Sequence, residues 1–322
     1  MLEAYRKLNL KIPFDKEYYY ETNKHKEIFE DLKVLIDCGG IFAITGMVGS
    51  GKTTLINRIQ NHLESENKIV VSRSVSTDKK KVNITVLFTA LFYDLSSDER
   101  SIKVPQGEKR ERELISLIKK RNKPVAFFID EAHDIHGQTL IALKRVSETV
   151  RQAGCKLSII LAGHPKLENS LSSSTMEEIG ARVKIFSINN AITDKVSFIN
   201  GWLKKYVIKP TKTTDVITQE AVEYLADSLQ TPLQIEDYLN KSVQYAYSVG
   251  EQQISKEMVE SVLSPDLKSI EAQLRRNGYQ PQQVCDLLKA THKEVQDFLS
   301  NKPNHPRRKE FLKKLAYINI TK

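Results

Sequence analysis

Short runs of β-branched and aromatic residues recur along the first half of the chain, each followed by a longer stretch with apolar positions at helical spacing. Gly40–Thr45, Ile69–Ser74, Val125–Asp130, Leu157–Ala162 and Val183–Ile188 have the length and composition of buried strands. Between them, His25–Ile36, Thr53–Glu64, Val82–Leu95, Arg110–Arg121 and Gly137–Ala153 read as helices. Strands alternating with helices predict a parallel sheet joined by crossovers. Past about residue 190 the strand pattern stops. Thr193–Val207, Gln219–Leu229, Pro232–Val249 and Ser255–Leu263 read as a helical subdomain. Beyond Ser264-Pro265, four short helical stretches follow: Leu267–Asn277, Gln280–Lys289, Lys293–Leu299 and Pro306–Leu315. The expected divisions are an α/β domain over 1–190, a helical lid over 191–263 and a small basic helical module over 264–322.

The first turn after a strand carries the clearest chemistry. Gly46-Met47-Val48-Gly49-Ser50-Gly51-Lys52-Thr53 matches the pattern G-x-x-x-x-G-K-[ST]. The glycines permit positive φ, so backbone N–H groups can curl around a phosphate. The following helix points its unpaired N–H groups at the same anion. Lys52 is placed to reach the β- and γ-phosphates, and Thr53, followed by Thr54, to ligate Mg²⁺. ATP and Mg²⁺ are therefore expected.

Val125–Ile129 is a continuous apolar run ending in Asp130-Glu131. A buried strand that ends in Asp delivers a carboxylate to the metal at the sheet's carboxyl edge. Asp130 is the expected metal residue and Glu131 the group that polarises the attacking water. His164, just past the next strand, is placed to sit between the acidic pair and the γ-phosphate; the alternative is an ordinary loop histidine. Arg182, before the last strand, could act on a neighbouring subunit's γ-phosphate; the alternative is a surface arginine. Catalysis is thus expected from Glu131, Lys52, Arg182 and His164.

Charge adds a partner class. The chain of 322 residues has 49 Lys+Arg against 40 Asp+Glu, a net charge of +9, which favours polyphosphate surfaces. Lys79-Lys80-Lys81, with Ser76, Thr77 and Asn83, form a hydroxyl- and amide-rich loop suited to phosphate contacts with nucleic acid; the alternative is a solvated face. The tail pairs Val284, Leu287 and Leu288 with Val295, Phe298 and Leu299 across a short turn, as a helix-turn-helix or a protein-docking module would. Three isolated cysteines and no signal peptide or membrane-length apolar run predict a soluble, cytoplasmic protein with no membrane partner.

On these residues, with Tyr20-Glu21-Thr22, His25, the Ile129–His133 string and Leu161-Ala162-Gly163-His164-Pro165-Lys166-Leu167, the chain resembles the AAA+ ATPases of the ExeA/TnsC/MuB/IstB type. The resemblance covers about residues 10–260. It implies a P-loop AAA+ sheet flanked by helices, with Gly46–Thr54 as the phosphate site. It also implies a sensor role for His164, and it brings Tyr19, Tyr20 and His25 near the adenine. The small basic tail is most like the transposition helpers. That implies slow, assembly-dependent ATP hydrolysis, sequence-nonspecific binding to duplex DNA, head-to-tail rings or helical filaments, and a transposase partner. A secretion-type ATPase and a helicase-loader-like protein are the alternatives. One departure stands out: the turn Ser228-Leu229-Gln230-Thr231-Pro232-Leu233-Gln234 lacks the arginine that related lids often carry.

Overall fold

The computed structural model describes residues 2–14, 20–74, 83–96, 104–264, 267, 269–300 and 305–320. Five parallel strands form one sheet in the order β2-β3-β4-β1-β5. They are β1 (Gly40–Thr45), β2 (Val70–Ser74), β3 (Val125–Ile129), β4 (Leu157–Gly163) and β5 (Val183–Ser187). After α1 (Leu2–Lys7), which packs elsewhere, the helices against them are α2 (Asn23–Cys38), α3 (Lys52–Glu66), α4 (Ile84–Leu95), α5 (Glu108–Arg121), α6 (Gly137–Gln152) and α7 (Pro165–Leu171).

Period-two alternation in the central strands feeds two cores. Ile41, Ala43, Val125, Phe127, Ile129, Leu157, Ile159 and Leu161 face α4–α7. Phe42, Ile44, Ala126, Phe128, Ile160 and Ala162 face α2 and α3. Both faces are covered, which is why these strands are apolar throughout rather than alternating with polar residues.

A third core belongs to the lid: α8 (Lys195–Tyr206), α9 (Gln219–Ser228), α10 (Pro232–Ser248) and α11 (Lys256–Val262). α1 joins it. Ala4, Tyr5, Leu8, Leu10 and Phe14 bury their side chains among lid residues, and the Tyr5 hydroxyl donates to Asn240 Oδ1 at 2.8 Å. The first residues of the chain thus pack with the lid rather than the sheet. The tail forms a fourth core from α12 (Ile270–Arg276), α13 (Pro281–Leu288), α14 (His292–Leu299) and α15 (Arg308–Tyr317). The paired α13 and α14 meet through Val284, Leu288, Val295 and Phe298, as the apolar spacing predicts. Among the described residues no helix is long and apolar enough to cross a membrane.

Candidate functional site

The carboxyl ends of β1, β3 and β4 lie side by side, with Thr45 opposite Gly163 and Ile129 opposite Leu161. Everything these strands deliver converges there. After Thr45 the chain turns through Gly46–Gly51 into α3. Gly49 and Gly51 take φ of 75° and 95°, the left-handed region that glycine supplies without steric cost. A Cβ on Gly46 would lie 2.5 Å from Ser50 Oγ, and one on Gly49 would lie 2.3 Å from Leu233 Cβ. The loop is wound so tightly that only hydrogen fits at these positions.

Lys52 is buried, and its Nζ donates to the carbonyls of Gly46 at 2.7 Å and Met47 at 3.0 Å. Burial pushes its pKa below the ordinary lysine range, while Glu131 and Asp130 pull it back up. The acidic pair is therefore near enough to act on the ammonium. Asp130 Oδ1 accepts from the Glu131 N–H at 2.8 Å, and Glu131 sits at φ 53°. A non-glycine residue in that region marks a side chain held for its direction.

Two histidines flank the Glu131 carboxylate. His133 Nε2 lies 3.6 Å and His164 Nε2 3.8 Å from Glu131 Oε2, and the rings meet edge-on at 4.0 Å between centroids. The His164 N–H points to His133 Nδ1 at 3.4 Å, which leaves the proton of a neutral His133 on Nε2, facing Glu131. The three side chains have the donor atoms to gather a cation, but that tautomer makes His133 a hydrogen donor rather than a ligand. The arrangement suits a carboxylate held ready beside a phosphate.

A cavity of about 260 Å³ opens over the glycine loop. Gly49–Thr54 form its floor, and Tyr20, His25, Ile192, Phe198, Trp202 and Leu233 its sides. One end is thus N–H and hydroxyl groups with Lys52, and the other is apolar and aromatic. That division matches a nucleotide: phosphates at the helix N-terminus, a base in the apolar slot. The Ser50 hydroxyl is buried without a hydrogen-bond partner on the wall of this cavity, as expected where an absent phosphate oxygen would satisfy it. Thr53, exposed at the cavity floor, and Asp130, whose carboxylate acts on Lys52, are residues that could hold Mg²⁺. His25 is fixed by Thr22, whose Oγ1 accepts from the His25 N–H at 3.1 Å and lies 3.0 Å from Nδ1. Tyr20 stacks edge-on against Phe198 at 5.4 Å.

The sequence-predicted residues Gly46–Thr54, Asp130, Glu131, His164, Tyr20 and His25 therefore gather at one edge of the sheet. Arg182 does not. It precedes β5, whose Val183 pairs with Ile41 at the start of β1, so it lies at the opposite edge. A strand of this length spans about 17 Å, farther than an arginine side chain reaches. Arg182 is ion-paired with Glu148 of α6, beside Lys144 and Arg151, at a second cavity. Tyr19, Thr77, Lys79, Lys80 and Lys81 lie outside the described residues.

Sequence reading missed the apolar half of the cavity. Phe198, Trp202 and Leu233 sit on helices at spacings that signal only burial, so nothing in the pattern separated a cavity wall from ordinary core. It also missed Asn189, whose Oδ1 accepts from the Met47 N–H at 2.9 Å and secures the loop's first turn.

Residues 36–171 match a protein family described as AAA domain. General secretion pathway protein A of Aeromonas hydrophila is 24% identical over 169 residues, which cover 52% of this chain and 30% of that protein. The chain thus matches less than a third of that relative's length. Among solved structures, the Aeropyrum pernix ORC2 protein in its ADPNP-ADP complexes is similar over 97% of this chain and 89% of its own, with 13% identity and a TM-score of 0.54. The Walker-type ATPase of Pyrococcus abyssi covers 97% and 93% at 14% identity and a TM-score of 0.54. Drosophila ORC bound to DNA covers 99% and 79% at 13% identity, also with a TM-score of 0.54. At these identities the likeness is one of fold. With the glycine loop and the acidic pair at the carboxyl edge of the sheet, and with residues 36–171 matching the AAA domain family, the chain has the P-loop AAA+ fold.

Proposed function

We propose that this protein is an ATP-hydrolysing AAA+ regulator that assembles head-to-tail on duplex DNA in its ATP state and directs a transposase. The observation that carries the assembly is the separation of the site into two halves. Lys52, Asp130, Glu131 and His164 occupy the carboxyl edge of the sheet, and Arg182 stands at the amino edge. A subunit that offers its nucleotide on one side and a guanidinium on the other is complete only beside a copy of itself. Such a heterologous contact closes into rings or extends into filaments. In this reading Mg²⁺, when bound, neutralises the phosphates. Thr53 and Asp130 hold it, Lys52 orients the phosphate chain, Glu131 takes the proton of the attacking water, and His164 and His133 keep Glu131 aimed. Glu148 shields Arg182 until a neighbour's phosphate displaces it.

Support for DNA as the substrate of assembly is the net charge of +9 and the DNA-bound neighbour of the same fold. The test is duplex binding measured with and without a non-hydrolysed ATP analogue across a salt series. The analogue is expected to raise affinity for any sequence, with a steep salt dependence. Equal binding with and without nucleotide would remove DNA from the proposal. A second reading, an ATPase acting on protein assemblies in secretion, draws on the 24% identity to general secretion pathway protein A. Nucleotide-dependent DNA binding would count against it.

A further inference from the structure

The tail is not a free appendage. Its segment Arg276–Tyr279 is seated across three parts of the nucleotide site at once. On the glycine loop, the Val48 N–H donates to the Arg276 carbonyl at 3.1 Å. Beyond β4, the Lys166 N–H donates to the Asn277 carbonyl at 3.3 Å, and Asn169 Nδ2 donates to the Tyr279 hydroxyl at 2.8 Å. Gly278, at φ 88°, lies against His164 so closely that a Cβ would stand 2.6 Å from His164 Cβ. On the lid, the Arg276 guanidinium donates to Gln230 Oε1 at 3.0 Å, while within the tail it also donates to the Leu267 carbonyl.

These contacts decide between a plug and a clamp. None of the described tail residues lines the nucleotide cavity, which stays open. The Val48 N–H belongs to the loop's first turn, where the Ser50 N–H is also taken, by the Met47 carbonyl at 3.1 Å, and the tail takes no amide of the α3 start, whose Lys52–Thr54 line the cavity. Meanwhile the lid already leans on the loop, with the Leu233 N–H 3.4 Å from the Gly49 carbonyl. The tail ties this lid turn, which has no cation of its own, to the loop and to His164.

We infer that Arg276–Tyr279 is a clamp in which Arg276 is a positioning residue. It holds lid, glycine loop and His164 in their nucleotide-binding arrangement and makes the tail's docking depend on the nucleotide. The inference rests on the proposed ATP site. Coupling of this kind is reciprocal: if the docked tail favours ATP, ATP favours the docked tail by the same factor. A change at the nucleotide is thereby passed to α13–α15, the surface available to a partner.

The experiment uses the full chain and a fluorescent ATP analogue. Arg276→Ala and Gly278→Val should each weaken its binding on the order of tenfold. Arg276→Lys should recover part of the loss, since an ammonium keeps the charge but not the fork that spans Gln230 and Leu267. In the unaltered protein the analogue should slow amide exchange over residues 270–299, an effect that Lys52→Ala abolishes. A role confined to structure would leave that exchange indifferent to nucleotide. Should Gly278→Val not fold, Tyr279→Phe, which removes only the bond to Asn169, takes its place with a smaller loss. Unchanged or tighter binding in the folded tail variants, or exchange indifferent to the analogue, would overturn the clamp alone. Full binding by Lys52→Ala would overturn the nucleotide site and the clamp together.

Discussion

Glu131 combines three features that rarely coincide by accident. It follows a fully buried strand, it holds a left-handed backbone conformation at φ 53°, and two histidine rings stand against its carboxylate. A carboxylate placed this way is suited to taking a proton from a neighbouring water. Glu131→Gln preserves shape but cannot accept the proton. It should bind nucleotide normally and lower the hydrolysis rate at least a hundredfold, within the usual range for a general base; normal turnover would refute the assignment. His25 offers a different test. Burial holds its pKa below the ordinary value of 6.5, so the folded chain resists a proton that the unfolded chain accepts. The neutral ring's contribution to stability is therefore complete above about pH 6.5 and is lost as pH falls toward the depressed folded value. Thermal melts from about pH 5 to 7 should show this slope, and His25→Gln should flatten it. Equal slopes in the two proteins would show that another group is responsible.

The turn between β1 and α3 and the start of α10 act as one unit. α10 begins with Pro232 at its first position and a capping box between Thr231 and Gln234, which together set where the lid helix starts. That start puts Leu233 on Gly49. Gly49→Ala would drive a methyl into Leu233 and strain the backbone at φ 75°. We expect at least tenfold weaker nucleotide binding, read by fluorescence titration, with the sheet's stability little changed because Gly49 lies outside all strands. Loss of overall folding instead would mean that the loop supports the sheet as well as the ligand. Thr231→Ala removes the cap and should cost about 1 kcal/mol in chemical denaturation.

For the whole molecule, the two edges of the sheet matter most. Arg182 stands far from its own Lys52, paired with Glu148. Arg182→Ala should therefore leave hydrolysis by dilute monomers unchanged and abolish only the stimulation that comes with assembly, measured as activity against protein concentration. An equal loss in monomers would return Arg182 to a structural role. The tail, α1 and the lid add a second large-scale feature: α1 packs in the lid core, and the tail is seated on the glycine loop and against His164. Nucleotide-driven movement of the lid would be felt by both.

That the glycine loop and the acidic pair meet at one edge of the sheet was legible in the chain by itself. Gly46–Thr53, Asp130 and Glu131 are local patterns, in which a strand, a turn and a helix start bring the groups into place without help from distant residues. The strand–helix alternation likewise showed a parallel sheet, because burial on both faces leaves a continuous apolar run. The apolar half of the cavity was not legible, since Phe198, Trp202 and Leu233 carry the same periodicity as any buried helix face. Nor was the place of the first helix, whose apolar residues would have satisfied the sheet as well as the lid. The seat of Arg276–Tyr279 on the glycine loop depends on hydrogen bonds between backbones more than 100 residues apart, as from Val48 to Arg276. Backbone groups are the same at every residue, so no sequence pattern records such a contact. Only the packing of the lid and tail cores against the sheet decided it.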